Sequence, residues 1–374
     1  MRLRNPSIYV IGLTLVVLLQ ACSRGTPDNQ QSAAEPPTLV AQPISTSPSN
    51  ASSGLASPTA TVYLPTVKQT APPAAPATAP TTTPTPPTGT PHISTVFVIV
   101  MENHNWSAIK GSRNAPYIND TLLPMASHAE QYYNPPDIHP SLPNYLWLEA
   151  GTNFGILDDG DPGEHHQSTT NHLVTLLNQA GISWKAYEEN ISGAACPLTS
   201  ADSFAVRHDP MLYFDDVTDN NNPHSQYCIS HVRPYAELSA DLQNDRTAQY
   251  NFITPNLCDD MHNICAPTFN SVRQGDNWLA SEVPKILASP AYKRGGALII
   301  TWDEGEGSDG PIGLIVLSPY AKGKGYRSVT HYTHSSTLRT IQEIFDVRPF
   351  LGDAANAVDL SDLFTIPLRQ NESP

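Results

Sequence analysis

Val96-Phe97-Val98-Ile99-Val100-Met101-Glu102-Asn103 is an unbroken apolar run that ends on a carboxylate and an amide. Apolar side chains at every position leave no polar face. The segment therefore reads as a strand buried on both sides, as in a parallel sheet covered by helices. A second stretch of the same design, Ala297-Leu298-Ile299-Ile300-Thr301-Trp302-Asp303-Glu304, comes much later in the chain. Open α/β sheets gather ligands just beyond the carboxyl ends of their strands. The pairs Glu102-Asn103 and Asp303-Glu304 are therefore expected to meet at one sheet edge. Oxygen donors from two distant strands suit a hard divalent cation that polarises a phosphoryl oxygen.

Working outward, Trp184–Tyr187, Tyr250–Thr254 and Ile312–Leu317 read as further strands. Between them, His172–Gly181, Asp276–Leu287 and Ser335–Phe345 carry helical apolar spacing, the last with Ser335 and Ser336 as caps. Strands alternating with helices predict an α/β domain over residues 92–374, with a mostly parallel central sheet and helices on both faces. From Asn190 to Asn222, and from Asp259 to Gly275, the periodicity gives way to loops containing Pro, Asn and His. Long irregular loops in a compact domain commonly form functional rims or lids.

The N-terminus reads as a targeting segment. Arg2 and Arg4 precede an apolar core from Ile8 to Leu19, and Leu19-Gln20-Ala21-Cys22 resembles a bacterial lipobox. Residues 1–22 are thus expected to be a lipoprotein signal, with Cys22 lipidated. That places an exported protein on the outer side of the bacterial cytoplasmic membrane or on the cell surface. Residues 23–91 are rich in Pro, Thr, Ser and Ala, a composition that buries too little surface to order itself, and read as a disordered tether. The charges of the tether cancel, so the acidity behind the chain's net charge of −15 lies in the domain. An acidic domain offers no footprint for nucleic acid. Phosphate esters remain open to it, because a bound cation inverts the local field. Cys196, Cys228, Cys258 and Cys265 remain in the exported part and predict two local disulfides, Cys196–Cys228 and Cys258–Cys265.

Histidines supply the second chemical signal. His139 lies in His139-Pro140-Ser141-Leu142-Pro143-Asn144-Tyr145, a Pro-stiffened turn leading into a helix. His208 stands in His208-Asp209-Pro210, and His262 ends Asp259-Asp260-Met261-His262. Imidazoles can stabilise a transferring phosphoryl group and protonate its leaving oxygen.

Seven ordered motifs carry a resemblance: Val-Met-Glu-Asn at 100–103, Pro-Ser-Leu-Pro-Asn-Tyr at 140–145, Ala-Gly-Ile-Ser-Trp-Lys-Ala-Tyr-Glu-Glu at 180–189, Pro-Asn-Leu-Cys-Asp-Asp-Met-His at 255–262, Thr-Trp-Asp-Glu at 301–304, Ser-Pro-Tyr-Ala-Lys-Gly at 318–323 and His-Ser-Ser-Thr-Leu-Arg-Thr-Ile at 334–341. Over residues 93–346 the chain resembles the bacterial and fungal phosphoesterase family of acid phosphatases and phosphatidylcholine-type phospholipases C, within the alkaline-phosphatase-like superfamily. The resemblance implies a divalent metal held by Glu102, Asn103, Asp303 and Glu304, with His139, His208 and His262 at the phosphate. It also implies a Ser or Thr nucleophile at the start of the helix before Ala180-Gly181. His172 occupies that place here, and the nearby hydroxyls are Ser168, Thr169 and Thr170, with Thr170 favoured and Thr169 next. His334 is expected at the phosphate or supporting it, and Ser335 as a cap.

The expected activity is metal-dependent hydrolysis of a phosphate ester through a phospho-enzyme, of the acid phosphomonoesterase type. The absence of a strongly hydrophobic exposed stretch or basic patch in the sequence weighs against the alternative, a phospholipase C or phosphodiesterase on phospholipid head groups. A catalytically silent, surface-tethered binding protein of the same fold is the reading from another class.

Overall fold

The computed structural model describes residues 91–307 and 310–368. The leader, Cys22 and the linker up to residue 90 lie outside the described residues. Eight strands form one sheet: β1 (Thr95–Met101), β2 (Ser127–Ala129), β3 (Trp184–Glu188), β4 (Val232–Pro234), β5 (Tyr250–Thr254), β6 (Gly296–Trp302), β7 (Leu314–Leu317) and β8 (Tyr326–Ser328). Their order across the sheet is β4-β3-β5-β1-β6-β7-β2-β8. From β4 to β6 every neighbouring pair is parallel. Every residue of β1 and of β6 is buried, as the continuous apolar runs require.

Five helices of seven residues or more flank the sheet: α1 (Ser141–Ala150), α2 (Leu173–Gln179), α3 (Ala236–Gln243), α4 (Ser271–Ala288) and α5 (His334–Ile344). Side chains alternate along a strand and point the same way from paired positions. Val98 of β1 pairs with Phe252 of β5, and Phe252 meets Tyr145 of α1 edge-on at 6.3 Å, which seats α1 on that face. Met101, three positions on, points to the opposite face, where its Cε lies 2.8 Å from the place a Cβ on Gly275 of α4 would take. Helices therefore cover both faces, and α5 joins the α1 side through a hydrogen bond from Trp147 Nε1 to Ser335 Oγ at 2.7 Å.

Three expectations shift. The strand expected from Ile312 begins at Leu314 and runs antiparallel to β6 and to β2. Only the loop of residues 303–313 links it to β6, too short for the crossover a parallel neighbour needs. Gly313 sits in that loop at φ +79°, with the Trp106 ring where a side chain would stand. The helix expected from Asp276 starts at Ser271, because Asn270 caps it by accepting from the Arg273 N–H at 2.8 Å. The cap of α5 is Thr333, with Ser336 completing a capping box. Ser335 is not the cap; it donates to Asp353 at 2.9 Å.

Both disulfides are present, Cys196–Cys228 and Cys258–Cys265, and fit a protein exported to an oxidising compartment. Among the described residues, no helix is long and apolar enough to cross a membrane.

A Cβ on Gly275 would also stand 2.3 Å from Met261 Cγ, so a side chain there forces the buried Met261 and Met101 side chains to move. Gly275→Ala is expected to lower stability by about 1–3 kcal/mol. The same change at an exposed helical site would instead stabilise by about 1 kcal/mol. Chemical denaturation of the two proteins reads the sign directly.

Candidate active site

Parallel register brings the acidic pairs together. Met101 pairs with Trp302, so Glu102 and Asp303 leave neighbouring strands at the same level. The Asp303 N–H donates to Met101 O at 3.0 Å, and the Glu102 N–H to Asp260 O at 2.7 Å. The backbone beyond β5 is thereby tied to the ends of β1 and β6. Asn103 donates its backbone N–H to Asp303 Oδ1 at 2.9 Å and its amide to Glu102 Oε2 at 3.0 Å. Asn103 holds φ at +51°, a left-handed conformation that asparagine tolerates better than most residues.

Glu102, His208 and Asp260 are all buried, each offering a ligand atom within 4.8 Å of the others. His208 lies 3.3 Å from Glu102 Oε1 and 3.4 Å from Asp260 Oδ2. These approaches are not aligned as hydrogen bonds, since His208 Nε2, Asp260 Oδ2 and Asp303 Oδ2 are buried without a partner. Burial, then Asp303 and Asp260, hold the Glu102 carboxyl well above its usual range. Asp303 is pushed up to about 7, by burial and then by Glu304. Asp260 is raised by burial and by Asp303. Burial, with Arg207 and His262 nearby, holds His208 well below the usual imidazole value and hence neutral. Crowded carboxylates beside a neutral imidazole, with unsatisfied atoms among them, form a hard-cation donor set. The residues fit a divalent metal.

Around this cluster, Tyr145 donates to Glu102 Oε1 at 2.6 Å and stacks on His208 at 5.0 Å and 9°. Ser141, the first residue of α1, donates to Glu102 Oε2 at 3.1 Å, and its hydroxyl also lowers the pKa of Asp303. Glu304 Oε2 accepts from His139 Nδ1 at 2.7 Å and from Asn144 at 2.9 Å. A cleft of about 700 Å³ opens here, lined by Asn103, His139, His262, Ile264 and Glu304 among others. Arg207 brings its guanidinium 3.5 Å from His262 Nε2. His334 is buried away from the cleft, with Nε2 2.5 Å from Asp303 O and Nδ1 3.1 Å from Tyr132 Oη. Burial lowers its pKa to about 4, so it braces the strand end as a neutral ring.

Thr169 and Thr170 stand apart from this constellation. Thr169 Oγ1 accepts from the Asn171 N–H at 3.1 Å, and Thr170 is exposed. His172, which follows them, is buried between Glu149 and Asp216 at 2.9 Å each and occupies the N-cap position of α2. Sequence reasoning passed over Ser141, Asp260, Tyr145 and Arg207. Ser141 carried a readable signal: Pro143 two residues later is confined to a first helical turn, which puts Ser141 at a helix N-terminus.

The sequence model of the Phosphoesterase family matches residues 128–348. A phosphatidylinositol-3-phosphatase of Mycobacterium tuberculosis (strain ATCC 25618 / H37Rv) is 27% identical over 276 residues, 73% of this chain and 84% of the relative. A probable acid phosphatase of Kluyveromyces lactis is 25% identical over 267 residues, 68% of this chain and 59% of the relative. A solved protein of the alkaline phosphatase superfamily from Vibrio parahaemolyticus aligns over 69% of this chain and 68% of its own, at 8% identity and a TM-score of 0.48.

A carboxyl whose pKa rises on folding binds more protons in the native state, so stability falls as pH climbs from the unfolded value toward the folded one. For Asp303 that window runs from about 4 to about 7. Metal-stripped protein is expected to lose melting temperature across it, and a saturating divalent cation to remove the loss. Asp303→Asn should flatten the slope of the stripped protein. A slope unchanged by cation would contradict the metal reading.

Proposed function

The chain belongs to the phosphoesterase family and hydrolyses phosphate esters, and we propose that it is an acid-type phosphomonoesterase whose attacking group is Ser141. The observation that carries this reading is the seating of the Ser141 hydroxyl on Glu102 Oε2 at 3.1 Å, at the N-terminus of α1. A helix N-terminus favours an incoming anion. The only other hydroxyl that donates to Glu102 among the described residues is the phenol of Tyr145, which is wholly buried.

Glu102, Asn103, Asp260, Asp303 and His208 are assigned to hold one divalent cation. Bound there, such an ion neutralises charge on a phosphoryl oxygen and acidifies a neighbouring hydroxyl. Ser141 gives its proton to the adjoining carboxylate cluster, and its Oγ forms a bond to phosphorus as the ester P–O bond breaks. Arg207 and His262 face the charge that builds on the phosphoryl oxygens. His139 protonates the departing alkoxide. Its Nδ1 is held by Glu304, which fixes the ring and directs Nε2 as the donor when the imidazole is charged. Glu304, expected among the metal ligands, is assigned to this orienting role instead. Water then cleaves the Ser141–phosphate bond and releases phosphate. Because imidazoles charge below about pH 6.5, turnover is expected to be greatest on the acid side of neutrality.

Cys22 is assigned as the lipid-bearing residue that tethers the enzyme to the outer face of the cytoplasmic membrane or to the cell surface, on the strength of its lipobox.

Ser141→Ala is expected to lower kcat on p-nitrophenyl phosphate by about a thousandfold or more while binding metal normally. Thr170→Ala and Thr169→Ala are expected to stay within about twofold of the parent. Acid-quenched wild-type enzyme should carry phosphate on the peptide that contains Ser141. Retained turnover in Ser141→Ala, or phosphate on Thr170, would overturn the assignment. Cys22→Ser should release the enzyme from membranes into the soluble fraction, and an unchanged membrane fraction would remove the anchor.

A further inference from the structure

We propose that Ile264 is a specificity-determining wall of the cleft, selecting phosphate monoesters whose leaving alcohol carries an apolar alkyl or aryl body. The proposal rests on the phosphomonoesterase reading above and names the substrate class for that same site.

The cleft is lined mainly by ionisable or amide side chains and glycine, and Ile264 is the apolar exception. Its side chain is 69% exposed, although an isoleucine gains from burial wherever a core is within reach. Among the described residues six large hydrophobics are exposed, and two of them, Ile264 and Phe269, fall on the single loop between β5 and α4. Apolar residues scattered singly over a surface are ordinary. Two on one rigidly held loop at a cleft are not.

The rigidity is specific to the backbone around Ile264. The buried Gln274 side chain donates to Asn263 O at 3.2 Å and to Cys258 O at 2.8 Å, and accepts from the Cys265 N–H at 2.8 Å. Residues on both sides of Ile264 are thus bonded to one side chain of α4. The disulfide from Cys258 to Cys265 closes the same loop, and the Asn263 N–H donates to Leu257 O at 2.6 Å. Ile264 is therefore fixed over the cleft and cannot turn away into the core.

Its place relative to the chemistry follows from displacement geometry. Attacking and leaving oxygens lie roughly in line through phosphorus. With Ser141 at the buried side, the leaving group points toward the cleft mouth, where Ile264 stands two residues beyond His262. An alkyl or aryl body laid there covers the exposed side chain. A polyol body would strand its hydroxyls against it.

The test compares n-hexyl phosphate with glycerol phosphate, two alkyl esters whose leaving alcohols differ mainly in polarity. Wild-type enzyme is expected to favour hexyl phosphate by about tenfold in kcat/KM, the effect of burying one to two methylene groups. Ile264→Ser should reduce that preference to about twofold or less while leaving glycerol phosphate nearly unchanged, and Ile264→Leu should retain it. No preference in the wild type, or an equal fall on both esters in Ile264→Ser, would overturn the wall. Ser141-dependent turnover of p-nitrophenyl phosphate is measured alongside. Its absence would sink the underlying reading, whereas its presence without a hexyl preference would sink only this inference. Phosphatidate in phosphatidylcholine vesicles distinguishes the source. An Ile264-dependent preference that extends to it supports a lipid ester, and one confined to hexyl phosphate supports a soluble ester.

Discussion

Parallel in-register pairing of β1 with β6 is the constraint from which the site follows. It places Glu102 and Asp303 side by side at the level where both strands end, and the bond from the Glu102 N–H to Asp260 O draws in a third carboxyl from beyond β5. Left alone, these groups would separate, because burying like charges is costly. Glu102 and Asp303 are held because each continues a strand buried on both faces, and Asp260 because its backbone carbonyl accepts from the Glu102 N–H. Part of the repulsion is relieved by protonation and part by Arg207, whose charge lowers the pKa of both Glu102 and Asp260. Arg207 stands at the rim and cannot replace a charge at the centre. Glu102, His208 and Asp260 would hold a divalent cation, which would supply that charge. Repulsion imposed by the fold is what suits this edge to a cation.

The inner strands β1 and β6 were legible in the sequence, because an apolar run with no polar face has nowhere stable to lie except between two covered faces, and β3 and β5 were legible as strands alternating with helical stretches. The meeting of Glu102 with Asp303 followed from the same pattern. The outermost parallel strand, β4, is only Val232–Pro234, too short to show any periodicity. The antiparallel course of β7 was not legible either: Leu314–Leu317 is as apolar as a parallel strand, and only the short helix-free link before it records the reversal. Asp260 lies on an irregular loop and His208 ends a three-residue 3-10 turn, where no periodicity reports which side chain turns inward. For the attacking hydroxyl, the run of Ser and Thr before α2 is the more conspicuous choice in the chain. The choice proposed above rests instead on burial. Ser141 is enclosed beside a carboxylate, whereas Thr170 faces water.

Several braces hold the cluster to a single geometry. Tyr145 stacks on His208 and donates to Glu102, so one ring positions two of the proposed ligands. His334 supports the backbone of Asp303 from beneath. Gln274 and the Cys258–Cys265 bridge fix the loop that bears Asp260, His262 and Ile264. These braces come from α1, α4 and α5, on both faces of the sheet. The site is therefore as rigid as the helix packing, which is what positioning catalysis demands.

The division of labour between Glu102 and Glu304 illustrates how neighbouring carboxylates take different roles. Both follow buried strands and both are raised by burial. Glu102 faces three other carboxyl-bearing or imidazole groups and has its oxygens turned toward the cluster. Glu304 Oε2 is occupied by His139 and Asn144, and the charge of His139 counters the effect of burial on it. Glu304 is set apart by its histidine partner, since Glu102 Oε2 also accepts two donors, from Asn103 and from Ser141. Glu304 holds the proton on Nδ1 and fixes the orientation of the ring, which suits His139 to the proposed donor role. In the proposed mechanism, cation binding and proton delivery are separated by a single step along the chain beyond β6, from Asp303 to Glu304.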